Sequence, residues 1–130
     1  MVAIWSVRTY GKGGERGADM KKFLVLYKAS AAAFAEAMKS TPEQQKKGMD
    51  EWMKWGAKAQ KAIVDMGAPL GKAVLVTPKG ATPTTNDLGG YSILQGESKE
   101  QVAESLKGHP HFMMKDSSIE VVELMPMPGT

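Results

Sequence analysis

The sequence predicts a single α+β domain in which four strands form one antiparallel sheet and helices gather on one of its faces. Three observations point there. Four short, β-prone apolar runs open near residues 21, 73, 91 and 119, two Ser/Thr-x-x-Gln signatures mark helix starts at Thr41 and Ser98, and Gly/Pro clusters punctuate the alternation. A second core is excluded by size, since 130 residues split in two leave roughly 65 each, too few for more than marginal burial.

Residues 1–19 show no sustained periodicity, and Gly11, Gly13, Gly14, Gly17 and Ala18 crowd their second half. They read as a leader or extension outside the core, with Ile4, Trp5 and Val7 able to stick to a surface groove; the domain proper spans residues 20–130. Lys21 to Tyr27 then forms a strand with Phe23, Val25 and Tyr27 on one side and Leu24 and Leu26 on the other. Apolar residues on both faces mark it as central.

Ala31 to Met38 is Ala-rich and helix-permissive. Thr41 with Gln44 makes a capping box, and Pro42 takes the first helical position, where its missing N–H costs nothing. From there Met49, Trp52, Met53, Trp55, Gly56, Ala59, Ala62, Ile63 and Met66 trace one buried stripe, so the spacing predicts a long helix closed by Gly67 and Pro69. Residues 73–77 are the second strand, 78–90 a long turn or mobile flap, and 91–95 the third strand. Ser98 and Gln101 repeat the capping device ahead of a helix buried through Val102, Ala103 and Leu106. Gly108 and Pro110 end it, and residues 119–125 form the last strand before Pro126 and Pro128.

The order is β-α-β-β-α-β, the ferredoxin-like arrangement, with four antiparallel strands carrying two helices on one face. The other face keeps apolar residues and no cover. A second copy of the chain is the economical partner, and two such sheets face to face make a dimeric α/β barrel.

Several segments, taken in order, resemble the YCII-related proteins over about residues 20–126: the Met20-Lys21-Lys22-Phe23-Leu24-Val25-Leu26-Tyr27 start, a Trp-bearing helix leading to Met66-Gly67-Ala68-Pro69-Leu70, Gly89-Gly90-Tyr91-Ser92-Ile93-Leu94, Ser98-Lys99-Glu100-Gln101-Val102-Ala103, His109-Pro110 and Ile119-Glu120-Val121-Val122-Glu123-Leu124. The resemblance implies a YciI-like, dimeric α/β barrel fold, whose superfamily holds small oxygenases, isomerases and dehalogenase-like enzymes. Two departures bear on chemistry. Some members carry a His on the long helix, paired with an Asp as a catalytic dyad, and here no His occurs between residues 42 and 67. The Asp-Gly-Pro-Phe motif of a related subgroup is replaced by Pro78-Lys79-Gly80-Ala81-Thr82-Pro83.

Composition removes several functions. The chain has no cysteine, which excludes disulfides, thiolate metal centres and a Cys nucleophile. No apolar run approaches the roughly 20 residues of a membrane span, and the N-terminus lacks a signal-peptide core, so a cytoplasmic location is the default and no membrane partner is expected. Net charge is +3, of which residues 20–130 contribute only +2. The densest basic stretch, with Lys39, Lys46, Lys47, Lys54, Lys58 and Lys61, is interleaved with Glu43, Asp50 and Glu51 and reads as a solvated helix face; no nucleic-acid partner is expected. Gly67 to Lys72 echoes a phosphate loop but fails on spacing and context.

The candidate site residues come from the aromatic and titratable groups. Trp52 and Trp55 could line an apolar pocket between helix and sheet, with hydroxyls from Tyr27, Tyr91 and Ser92; the same stripe also suits plain core packing. The ten methionines suit irregular apolar sites. His109 and His111 are the only histidines and sit beside a helix end, where they can bond free carbonyls or move a proton. Asp50 is a second proton-transfer candidate, although Asp50 and Glu51 also suit ion pairs with Lys46, Lys47 or Lys54. Neither metal nor cofactor is expected from the spacing of these groups. The functional expectation is a homodimer binding a small apolar or aromatic molecule, with cofactor-independent proton-transfer or oxygen chemistry if it catalyses. The alternative is a non-catalytic structural or protein-interaction module with a self-filled barrel.

Overall fold

The computed structural model describes residues 20–127. The expectations placed on residues 1–19, including Ile4, Trp5 and Val7, and on Pro128 lie outside the described residues. The described chain is α+β, running β1 (Lys21–Ala29), α1 (Ala31–Met38), α2 (Pro42–Lys58), β2 (Ile63–Pro69), β3 (Ala73–Thr77), β4 (Gly80–Thr84), β5 (Leu88–Gly96), α3 (Lys99–Ser105) and β6 (Ser117–Glu123). Short 3-10 turns occupy Gln60–Ala62 and Pro110–Met113. Among the described residues, no helix is long and apolar enough to cross a membrane.

Local chemistry sets the helix starts. Ser30 caps α1 by accepting from Ala33 N–H at 3.1 Å. Both arms of the Thr41 box form on α2, Gln44 N–H to Thr41 Oγ1 at 3.1 Å and Thr41 N–H to Gln44 Oε1 at 2.9 Å, with Pro42 following the cap. On α3 only one arm forms. Ser98 Oγ accepts from Gln101 N–H, but the Gln101 side chain accepts from Glu97 N–H, one residue outside the box.

Four strands build the main sheet in the order β2-β5-β1-β6, every neighbouring pair antiparallel. β1 is central, as its two apolar faces predict, and places Phe23, Val25, Tyr27 and Ala29 inward. The core is Phe23, Val25, Tyr27 and Leu94 from the sheet under Trp55 of α2, Val102 of α3 and Leu106 just after it. Burying each large apolar side chain contributes about 1.5–3 kcal/mol. The opposite sheet face carries Leu24, Leu26, Tyr91, Ile93 and Val122, brought together by the pairings Leu24 to Ile93 and Val122 and Leu26 to Tyr91.

Three expectations are corrected. The long helix stops at Lys58, and Ile63–Pro69, expected as its last turns and cap, is the second strand of the sheet. Ile63 and Val64 are β-branched, and pairing of Ile63 with Leu94 and of Pro69 with Gly90 serves a β5 edge that a helix would leave bare. Gly67 is therefore no helix cap. It sits at φ +77 within an irregular stretch of β2, where a Cβ would strike the Tyr91 carbonyl.

Residues 73–77 do not join the main sheet; β3 and β4 pair only with each other, Thr77 opposite Gly80, around the two-residue turn Pro78-Lys79. The stretch expected as a flap is thus mostly hairpin and the start of β5. Val74, Leu75 and Val76 stay exposed on it. The predicted apolar stripe packs only in part: Trp55 is buried and Trp52, Ala59 and Ile63 lie against the core, but Met49 and Met53 are more than 60% exposed.

Candidate functional site

Parity along the strands decides which side chains can meet. Tyr27 and Ser92 both point inward, whereas Tyr91, next to Ser92, points to the opposite face beside Leu26. Gly90 lies opposite Tyr27. The Tyr27 hydroxyl lies 2.8 Å from Ser92 Oγ, and Ser92 Oγ donates to the Met66 carbonyl at 2.7 Å. Ser92 has one proton and a carbonyl only accepts, so Tyr27 must be the donor to Ser92. The ordered chain runs Tyr27 O–H to Ser92 Oγ to Met66 O.

α2 lowers Trp52 and Trp55 onto this face, and the segment after α3 brings in the histidines. His109 is 1% exposed, with ring centroids at 4.3 Å from Trp55, 4.5 Å from Trp52 and 5.0 Å from Tyr27. Trp52 stands edge-on to Tyr27 at 5.0 Å, and Trp55 Nε1 donates to the Ser105 carbonyl at 3.2 Å. His109 does not cap the end of α3 with a donor. Its Nδ1 accepts from His111 N–H at 2.9 Å and so starts the turn Pro110–Met113.

These partners assign the tautomers. His109 Nδ1 is an acceptor, so its proton sits on Nε2. His111 Nε2 lies 2.9 Å from the Lys28 carbonyl and therefore carries a proton to donate. Lys28 O is reachable there because the β1–β5 register slips between Tyr27 and Lys28. His109 Nε2–H is the one buried side-chain polar atom, among the described residues, with no hydrogen-bond partner.

Burial favours the neutral forms of His109 and Tyr27. Burial, reinforced by neighbouring His111, holds the His109 pKa down at about 4, against the ordinary 6.5. Burial also pushes the Tyr27 phenol up, partly offset by its bond to Ser92. Lys28 contributes only its carbonyl; its ammonium reaches Glu120 at 2.9 Å and Asp87 at 3.6 Å. Among the described residues no group of three or more His, Asp and Glu is placed to hold a metal ion.

Of the sequence-derived candidates, Tyr27, Trp52, Trp55, Ser92 and His109 converge. Tyr91 and Asp50 do not: Tyr91 faces the side of the sheet opposite the core, and Asp50 is exposed on α2, two residues and more than half a turn from Trp52. Glu51, not Asp50, makes the helix-surface pair, with Lys54 at 3.6 Å. His111, weighed in the sequence together with His109, also joins the site, its ring on the Lys28 carbonyl. The Met66 carbonyl is an addition, since a main-chain oxygen at a strand irregularity carries no sequence signal. No known family model matches the chain, and no curated protein matches it.

Proposed function

We propose that this chain is a YCII-like protein with a ferredoxin-like fold that binds a small, mostly apolar or aromatic molecule at the Tyr27–Trp52–Trp55–His109 cluster. One observation carries the reading. A polar atom, His109 Nε2–H, is held in a wall of aromatic rings with no group among the described residues to receive its proton. Leaving a buried donor unmatched costs about 1–3 kcal/mol, which a purely structural core avoids by using an apolar ring. The perturbed pKa of His109 also argues against the self-filled alternative, because such shifts gather at functional sites.

The order β2-β5-β1-β6 supports the ferredoxin-like assignment. The apolar face formed by Leu24, Leu26, Tyr91, Ile93 and Val122 supports a homodimer in which two sheets pack into an α/β barrel. A catalytic role would fall to Tyr27 and His109, the titratable groups that line the aromatic cluster. Titrating the full chain with a panel of phenols, aromatic ketones and aromatic acids, read by tryptophan fluorescence and thermal shift, tests the binding. Saturable responses lost in Trp52→Ala are expected; a panel without any response would refute the reading.

A further inference from the structure

We propose that the site selects a neutral, planar molecule bearing a carbonyl-type oxygen, a ketone, ester or amide attached to an apolar ring, with that oxygen accepting from His109 Nε2–H. The inference rests on the ligand-binding reading above and adds the polarity and charge of what binds.

The polarity follows from the donors at the buried end of the site. Tyr27 donates to Ser92, Ser92 to Met66 O, His111 Nε2 to Lys28 O and Trp55 Nε1 to Ser105 O. His109 Nδ1 is already occupied by His111 N–H. Among the described residues His109 Nε2–H is the one buried side-chain donor left unmatched, so a polar atom that reaches it must accept. A group that can only donate cannot use His109 Nε2–H, and the oxygens it would turn to, those of Tyr27 and Ser92, are already joined in the chain that ends on Met66 O.

Charge narrows the class further. The groups packed around His109 are Tyr27, Trp52, Trp55 and His111, with no Lys, Arg, Asp or Glu side chain among its ring and hydrogen-bond partners. A carboxylate there would be buried without a counter-charge, which costs more than one hydrogen bond returns. A quaternary ammonium would enjoy the ring faces but would meet a donor N–H pointing its positive end at it. A neutral acceptor satisfies both conditions.

Access comes from the outer wall. Trp52 is half-buried on α2, which packs against the turn Pro110–Met113, and the same two elements expose Met49, Met53, Phe112 and Met113. Flexible thioethers around a half-buried tryptophan make a rim that can yield to a flat ring.

The test compares ethylbenzene, acetophenone, benzoate and benzyltrimethylammonium on the full chain near neutral pH, with Kd read from the indole N–H resonances of Trp52 and Trp55. Acetophenone is expected to bind about tenfold more tightly than ethylbenzene, the return on one matched hydrogen bond, and more tightly than either ion. In His109→Phe the two neutral probes are expected to bind alike. Equal binding of acetophenone and ethylbenzene by the unaltered chain, as a water fixed on Nε2 would give, overturns the inference and leaves the ligand-binding reading intact. Preference for benzoate or the ammonium does the same. Failure of all four to bind overturns both. The comparison of probes on the unaltered chain stands even where His109→Phe does not fold.

Discussion

Acidification should destabilise this protein through one residue. His109 is neutral and buried in the native state with a pKa near 4, while the unfolded chain carries an ordinary histidine near 6.5. Between those values the unfolded state binds more protons, so stability rises with pH and is lost as pH falls from 6.5 toward 4. The full difference corresponds to about 3 kcal/mol, of which about 2 kcal/mol is gone by pH ~5. Urea unfolding followed by tryptophan fluorescence at pH ~7.5 and ~5 measures the loss, and His109→Asn supplies the comparison because its side chain can still accept from His111 N–H without titrating. The variant is expected to lose about 2 kcal/mol less than the parent over the same interval. Direct titration of the His109 ring resonances provides an independent reading. A midpoint near 6.5, or parallel losses in parent and variant, would refute the reasoning.

Three further outcomes follow from the same geometry. Ser92→Ala strips the partner from both Tyr27 O–H and Met66 O and should cost about 2 kcal/mol, whereas Tyr27→Phe keeps the Ser92–Met66 bond and should cost about 1 kcal/mol in the same unfolding assay. Gly67→Ala forces a Cβ into the Tyr91 carbonyl at a positive φ and should destabilise by about 2–3 kcal/mol by urea unfolding; a neutral result would remove the close approach of β2 to β5. Ile93→Glu places a charge on the sheet face opposite the core, beside Leu24, so light scattering should report a dimer mass for the parent and a monomer mass for the variant; a monomeric parent would end the barrel proposal.

Where the determinants are local, they are legible in the sequence. Thr41, Pro42 and Gln44 announce the start of α2 because every atom of the cap lies within four residues. The end of the same helix is not, since Ala59, Ala62, Ile63 and Met66 fit a helical stripe as well as a strand. The choice is made by β5, some 30 residues later, which needs a neighbour on its free edge. The hairpin of β3 and β4 was hidden for a related reason: Pro78-Lys79 lacks the Asn-Gly signature of a two-residue turn, so its strands read as a strand and a flap. At the site, alternation separates Ser92 from Tyr91, and helical rotation separates Trp52 from Asp50. Both separations follow from parity and angle, whereas the meeting of α2 with residues 109–111 depends on how α2 and α3 settle on the sheet.

Histidine is the unexpected choice at position 109. Its Nδ1 caps a short turn, a task that Asn, Asp or Ser performs without burying an imidazole. Its ring fills a space among three aromatic side chains, which phenylalanine would fill without an unmatched N–H or a penalty at low pH. Neither task accounts for the residue alone. Together they fix the tautomer, because committing Nδ1 to the cap forces the proton onto Nε2 and directs it among the rings. The turn Pro110–Met113 therefore acts as a positioning device for that proton, and a change that loosens the cap, such as His111→Pro removing the donated N–H, would release the tautomer even though the imidazole stays in place.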